Sequence, residues 1–216
     1  MDGTAEPSRD DARRLSWHEA PEAILALARD ASSTTDRILI GVTGPVGSGK
    51  STLARRLGGV TLRTDDYLPD YEGLPEHERD LPERADLARL AENLDALRQG
   101  RAATAPVWCF HEHRRTGERT IEPAELVVCE GIHALHATVV ERFDVRVFVE
   151  APAEVRWERW KAIELDAERG WGVEQAKSFF DQVAEPTFHD RAPAYRRAAH
   201  VIVINDQRAP APEDRA

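Results

Sequence analysis

The sequence predicts an α/β protein of three layers, a parallel sheet with helices on both faces. Three observations carry this expectation. Short apolar runs recur at Ile38–Val42, Val60–Thr64, Leu126–Cys129, Val145–Val149 and Val201–Ile204, with the length and composition of strands buried on both faces. Stretches of helical spacing separate them, such as Leu87, Leu90, Leu94 and Leu97 ahead of the stop signal Gly100. The first run leads straight into a glycine-rich loop that opens a helix, the βα junction of a parallel sheet.

The elements follow in order. Residues 1–14 and 207–216 are rich in Ala, Pro, Asp, Glu and Arg without apolar period, and read as loose tails around one domain at 15–206. Ser16 and Glu19 have the form of a capping box, and Ile24, Leu25, Leu27 and Ala28 mark the short helix behind it. A second helix opens at Thr52-Leu-Ala-Arg-Arg-Leu57. Residues 104–122 interrupt the alternation and read as a β-hairpin, a flap on the substrate side, with Trp108, Phe110 and Ile121 around a Thr116-Gly117 turn. Charged sequence from Ala153 to Arg169 and from Val173 to Val183 reads as two helices parted by Gly170.

Composition narrows the function. A chain of 216 residues with 41% hydrophobic and 31% charged residues suits one globular domain with a single substantial core. The formal net charge of -10 argues against a nucleic-acid partner, because a phosphate backbone demands a basic face. The two cysteines, Cys109 and Cys129, have no metal-ligand or redox spacing, so a reducing compartment is expected. No stretch has the length of a membrane span and the first residues lack the apolar core of a signal peptide, which together predict a cytoplasmic protein. A homo-oligomer is compatible with all of this.

The strongest local signal is Gly44-Pro45-Val46-Gly47-Ser48-Gly49-Lys50-Ser51-Thr52, a complete G-x-x-x-x-G-K-S followed by a helix. Glycines let successive backbone N–H groups turn toward phosphate oxygens, and the helix N-terminus adds its dipole. Lys50 reaches β- and γ-phosphates and the Ser51 hydroxyl is a Mg²⁺ ligand in such loops. The fold expectation thereby becomes a P-loop NTPase, with ATP and Mg²⁺ as its cofactors. Glu130 ends the apolar run Leu126–Cys129, where an acid can serve the metal; the alternative is a solvated strand end.

A P-loop by itself serves kinases, GTPases and motors alike. No N-K-x-D guanine-reading motif is present, and Thr64-Asp65-Asp66-Tyr67 closes the second strand at the edge that faces the ligand crevice. A carboxylate there can take the proton of an attacking alcohol; the alternative is an Asp-Asp turn.

The ordered set GPVGSGKST, TDDYL, DLPERAD, PVWCFHEHRR, VVCEGIHAL, a basic helix ending in ERG, and RAAHVIVIN resembles the uridine kinase–phosphoribulokinase family over residues 37–205. That family also includes pantothenate and nicotinamide riboside kinases. The resemblance implies Asp65 as catalytic base beside Lys50, and Tyr67 as an aromatic lining the substrate pocket. It implies Asp80 on ribose hydroxyls, Trp108 and His113 against the base with Arg115 following, and Glu130 near the metal with Ser51. It makes residues 153–171 a lid whose Arg159, Lys161 and Arg169 close over the phosphates. Stacking on a flat indole suits a planar base, and cations suit a transferring phosphoryl group. Other readings stay open: Trp108 as a core aromatic, His111 with His113 as a metal pair, and Arg156, Arg159 and Lys161 as a solvated helix face.

Trp108 and Cys109 stand where the family has tyrosine and aspartate, Trp171 replaces a lid cation, and Phe179 replaces a polar residue. These changes leave phosphate chemistry intact and remove contacts that read a pyrimidine. The expected function is ATP-dependent transfer to a hydroxyl of a small metabolite, first a nucleoside such as uridine or cytidine. Pantothenate, nicotinamide riboside, a sugar or a secondary metabolite are alternative acceptors. A nucleotide-driven switch without transfer is the alternative from another class.

Overall fold

The structure is a computed structural model that describes residues 12–31, 36–166 and 170–207. Six parallel strands form the sheet: β1 (Arg13–Ser16), β2 (Ile38–Thr43), β3 (Val60–Arg63), β6 (Leu126–Glu130), β7 (Val145–Glu150) and β8 (Val201–Ile204). Their spatial order is β1-β8-β7-β2-β6-β3. β4 (Ala103–Cys109) and β5 (Arg114–Ile121) form a separate antiparallel hairpin. The helices are α1 (Ala20–Ala31), α2 (Lys50–Leu57), α3 (Leu87–Arg98), α4 (Ala153–Leu165), α5 (Val173–Phe179) and α6 (Glu185–Ala198), with a π-helical turn at Phe180–Ala184 before α6.

Side chains alternate across the sheet, as the two-residue period of a strand requires. Ile38, Ile40 and Val42 of β2, with Val145, Val147 and Val149 of β7, pack on one face against Ile24, Leu53 and Leu57 of α1 and α2. Leu39, Val127, Cys129 and Phe148 point to the other face, against Leu90, Leu94 and Leu97 of α3 and Phe188 and Tyr195 of α6. A third cluster, Trp160, Ala176, Phe179 and Phe180, joins α4 to α5 outside the sheet.

The Ser16–Glu19 box forms: the Ser16 N–H donates to the Glu19 carboxylate at 3.2 Å and the Glu19 N–H to Ser16 Oγ at 3.4 Å. Two expectations are corrected and one element is new. Arg13 and Arg14, read as tail, belong to edge strand β1, which pairs with β8 while burying only Leu15. One apolar residue in four leaves no period to see. The hairpin turn falls at residues 110–113, where His113 takes a left-handed φ of 52°, and Thr116 and Gly117 lie inside β5. α6 has no counterpart in the sequence reading, because it carries two prolines and buries only Phe188 and Tyr195.

Candidate active site

β2 is central, and β6 lies between it and β3. The register pairs Glu130 with both Val42 and Arg63, so the end of β6 sits between the P-loop and the turn after β3. This crossover is the switch point at which a parallel sheet opens a crevice beyond its carboxyl ends. A cavity of about 890 Å³ occupies that crevice.

At one end lies the loop of residues 44–51. Gly47 has φ 73°, and a Cβ there would come within 2.6 Å of the Arg156 carbonyl oxygen, so only glycine fits. Lys50 is buried at the start of α2, and its Nζ donates to Pro45 O at 3.0 Å, folding the ammonium over the loop. Ser48 Oγ is buried without a hydrogen-bond partner among the described residues. The Ser51 hydroxyl donates to Glu130 Oε1 at 3.0 Å. Arg159 of α4 donates to Gly47 O at 2.8 Å and to Asn205 Oδ1 at 3.1 Å, joining α4 to the loop and to the end of β8. Lys50, Arg55, Arg63 and Arg159 thus line this end of an acidic protein.

Glu130 is 5% exposed. Burial pushes its carboxyl up to about 7 and the Asp65 charge adds to that, while Lys50, the Ser51 hydroxyl and Arg63 pull the other way. Gly131 has φ 142°, and a Cβ there would stand 1.9 Å from Thr64 Oγ1. The missing side chain lets the strand ends approach and brings Asp65 beside Glu130. One hydroxyl and one carboxylate beside a lysine suit a hard divalent cation that takes its remaining ligands from phosphates and water. The unpartnered Ser48 hydroxyl and the ammonium of Lys50, folded over the loop, suit a triphosphate.

The two neighbouring aspartates have different surroundings. Asp65 is half-buried and faces the cavity. Asp66 is fully buried: Arg63 donates to both its oxygens, at 3.1 and 2.5 Å, and Arg119 and the Trp108 N–H donate at 3.3 Å each. Asp66 ties the hairpin to the sheet.

The far end is aromatic. Tyr71 lies 5.0 Å from Trp108 and stacks on His113 at 5.8 Å; His113 in turn stacks on Trp171 at 4.8 Å. The Tyr71 hydroxyl donates to Asp80 Oδ1 at 3.2 Å, and Trp171 Nε1 donates to His113 Nδ1 at 3.4 Å. Phe179 and Ile163 complete the wall.

The Phosphoribulokinase / Uridine kinase family matches the sequence over residues 73–209. The chain belongs to that family. It is 32% identical to a uridine kinase of Deinococcus deserti over 179 residues, covering 76% of this chain and 86% of the relative. Against a uridine kinase of Halobacterium salinarum the identity is 30%, with 79% and 81% covered. Among solved structures, a putative fructose transport system kinase from a Silicibacter species superposes with a TM-score of 0.62 at 20% identity, covering 83% of this chain and 98% of that one. A possible uridine kinase from Bacillus stearothermophilus gives 0.54 at 19%, covering 86% and 99%. These superpositions share the fold described above. As a family member the chain is a small-molecule kinase, a phosphotransferase that acts on a hydroxyl group.

Of the residues that the family resemblance singles out, Lys50, Ser51, Thr52, Asp65, Asp80, Trp108, His113, Glu130 and Arg159 line the one cavity. Three described ones, Tyr67, Arg115 and Lys161, do not. Tyr67 is wholly buried, its hydroxyl accepting from Asn93 Nδ2 at 2.7 Å, because the turn at Thr64–Tyr67 directs it into the core beneath α3. Arg115 donates to Leu68 O and Tyr67 O, each at 3.0 Å, and braces the hairpin. Lys161 is on α4 but away from the cavity lining. Arg169 lies outside the described residues. Arg156, weighed above as a solvated face, is 6% exposed and paired with Glu185. Sequence reasoning missed Tyr71, which takes the wall position assigned to Tyr67. It also missed Arg63, whose only signal is its place one residue before the Thr64-Asp65-Asp66 turn.

Proposed function

We propose that the protein transfers the γ-phosphoryl group of ATP to a hydroxyl of a nucleoside-like small molecule. The observation that carries this is one cavity with a cationic P-loop end, a half-buried carboxylate at Asp65, and an aromatic end holding Asp80. The acceptor's ring lies on the Tyr71–Trp108–His113 side and its sugar hydroxyls meet Asp80, since one carboxylate accepts two such bonds.

In the transfer step Asp65 takes the proton of the acceptor hydroxyl as its oxygen forms a bond to the γ-phosphorus. The bond from that phosphorus to the β–γ bridging oxygen breaks, ADP leaves with the electron pair, and the proton passes from Asp65 to solvent. Lys50 and Arg159 stabilise the charge that spreads over the phosphoryl oxygens. Ser51 and Glu130 would hold Mg²⁺, which supplies charge neutralisation on the phosphates when bound. A requirement for ATP fits a cytoplasmic reaction.

The test is ADP release with a panel of hydroxyl compounds, read together with mass spectrometry for a phosphomonoester. A nucleoside should stimulate ADP release and become phosphorylated. Asp65→Asn should bind ATP normally and transfer at least about 10²-fold more slowly. Slow ATP hydrolysis that no acceptor stimulates would mean a nucleotide switch instead.

A further inference from the structure

We infer that His133 and Tyr195 hold one buried water between them, and that through it they fix the carboxylate of Asp80 toward the acceptor. Both are positioning residues for the transfer. This rests on the reading of Asp80 as the group that meets the acceptor's hydroxyls.

A second cavity, of about 20 Å³, lies behind the acceptor end of the first. Val46, Asp80 and Ile132 line both cavities and form the partition between them. His133, Arg191 and Tyr195 close the small cavity from the other side. His133 stands three residues beyond the end of β6 and is 2% exposed, and Tyr195 of α6 is 3% exposed. Among the described residues neither ring nitrogen of His133 has a hydrogen-bond partner, and neither does the Tyr195 hydroxyl. Burial first, then the His136 and Arg191 charges, hold the His133 ring down at about 3, while the Asp80 backbone pulls the other way. The ring is therefore a neutral imidazole with one N–H donor and one acceptor nitrogen, and the hydroxyl brings one of each. Polar atoms buried without a partner lose their hydration with nothing in exchange. Room of about 10–15 Å³ admits a water, which makes about three hydrogen bonds when buried. Two of them satisfy His133 and Tyr195, and the third falls to Asp80 on the partition.

The surroundings fit this use. On the side of the large cavity the Tyr71 hydroxyl donates to Asp80 Oδ1 at 3.2 Å. Arg191, one turn before Tyr195 on α6, donates to Glu83 Oε1 at 2.9 Å. α6 thus fastens the segment carrying Asp80 by an ion pair outside and by the water within.

A crystal structure of the whole chain should show one water within hydrogen-bond reach of both the His133 ring and the Tyr195 hydroxyl. Tyr195→Phe removes the hydroxyl alone. With a water bonded to that hydroxyl, the variant's urea midpoint should fall; with an unpaired hydroxyl it would rise. With uridine as acceptor and saturating ATP and Mg²⁺, Tyr195→Phe should lower kcat/KM for uridine by about 2–10-fold, the worth of one hydrogen bond, and leave KM for ATP unchanged. His133→Leu should act in the same way, and the double variant should lose little more than the larger single loss, because one water serves both. A dry cavity, a raised midpoint for Tyr195→Phe, an unchanged kcat/KM for uridine in that variant, or additive losses would each overturn the inference. Asp80→Asn tests the reading beneath it. If that variant handles uridine like the parent, or the parent transfers nothing to uridine, Asp80 has no such acceptor to hold and the positioning role goes with it. A large loss in Asp80→Asn with none in Tyr195→Phe overturns the positioning role alone.

Discussion

Replacing Glu130 by Gln should stabilise the nucleotide-free protein while it destroys transfer. The Glu130 carboxyl is raised from its ordinary value of 4.5 to about 7 in the fold, by burial first and by Asp65 second. Between those two pH values the folded chain holds a proton that the unfolded chain has lost, so stability falls as pH rises. The loss reaches at most about 1.4 kcal/mol per pH unit and levels off above pH 7 at about 3 kcal/mol. Gln keeps the acceptor oxygen for the Ser51 hydroxyl, which donates to Oε1 at 3.0 Å, and carries no charge to desolvate. Urea denaturation in the presence of a chelator, at pH 4.5 and pH 8, measures both terms of the difference. The variant should exceed the parent by about 3 kcal/mol at pH 8 and by little at pH 4.5. Equal stabilities at pH 8, or a gain independent of pH, would refute the reasoning that this carboxyl is kept in the fold at a cost and for its chemistry.

Asp66→Asn should behave unlike its neighbour. It removes the charge that Arg63 and Arg119 share, so it should cost about 2–3 kcal/mol in denaturation, whereas Asp65→Asn should cost little. Arg156→Ala should cost about 3–5 kcal/mol, because it strands Glu185 and leaves the Val46 and Ala151 carbonyls without their donor; replacing Arg156 and Glu185 together by Met should recover much of it, as read by thermal unfolding. Gly131→Ala puts a Cβ 1.9 Å from Thr64 Oγ1 at a φ of 142°. It should destabilise by about 1–3 kcal/mol, and in steady-state kinetics it should lower kcat more than it raises KM for ATP, since it moves Asp65 and leaves the P-loop alone.

The glycine-lysine loop and the faces of the central strands are legible in the sequence because both are local. Gly44–Ser51 needs only its own backbone freedom and the helix that follows. The alternation of Ile38, Ile40 and Val42 against Leu39 needs only the two-residue period. Contacts between segments far apart in the chain decide the rest. Asp65 and Asp66 are one residue apart and chemically identical. Asp66 is made structural by Arg63, by Arg119 and by the N–H of Trp108, the last two more than forty residues away. Tyr67 and Tyr71 exchange places in the same manner, one drawn under α3 by Asn93 and the other held at the cavity by Asp80 and His113. β1 and α6 escape a sequence reading because each buries few side chains and depends on a partner already in place, β8 for the one and the second face of the sheet for the other. The motif thus identifies the phosphate chemistry from short-range geometry. Which acid faces the cavity, and which aromatic side chains form its far end, is set by packing between elements that no short stretch of sequence contains.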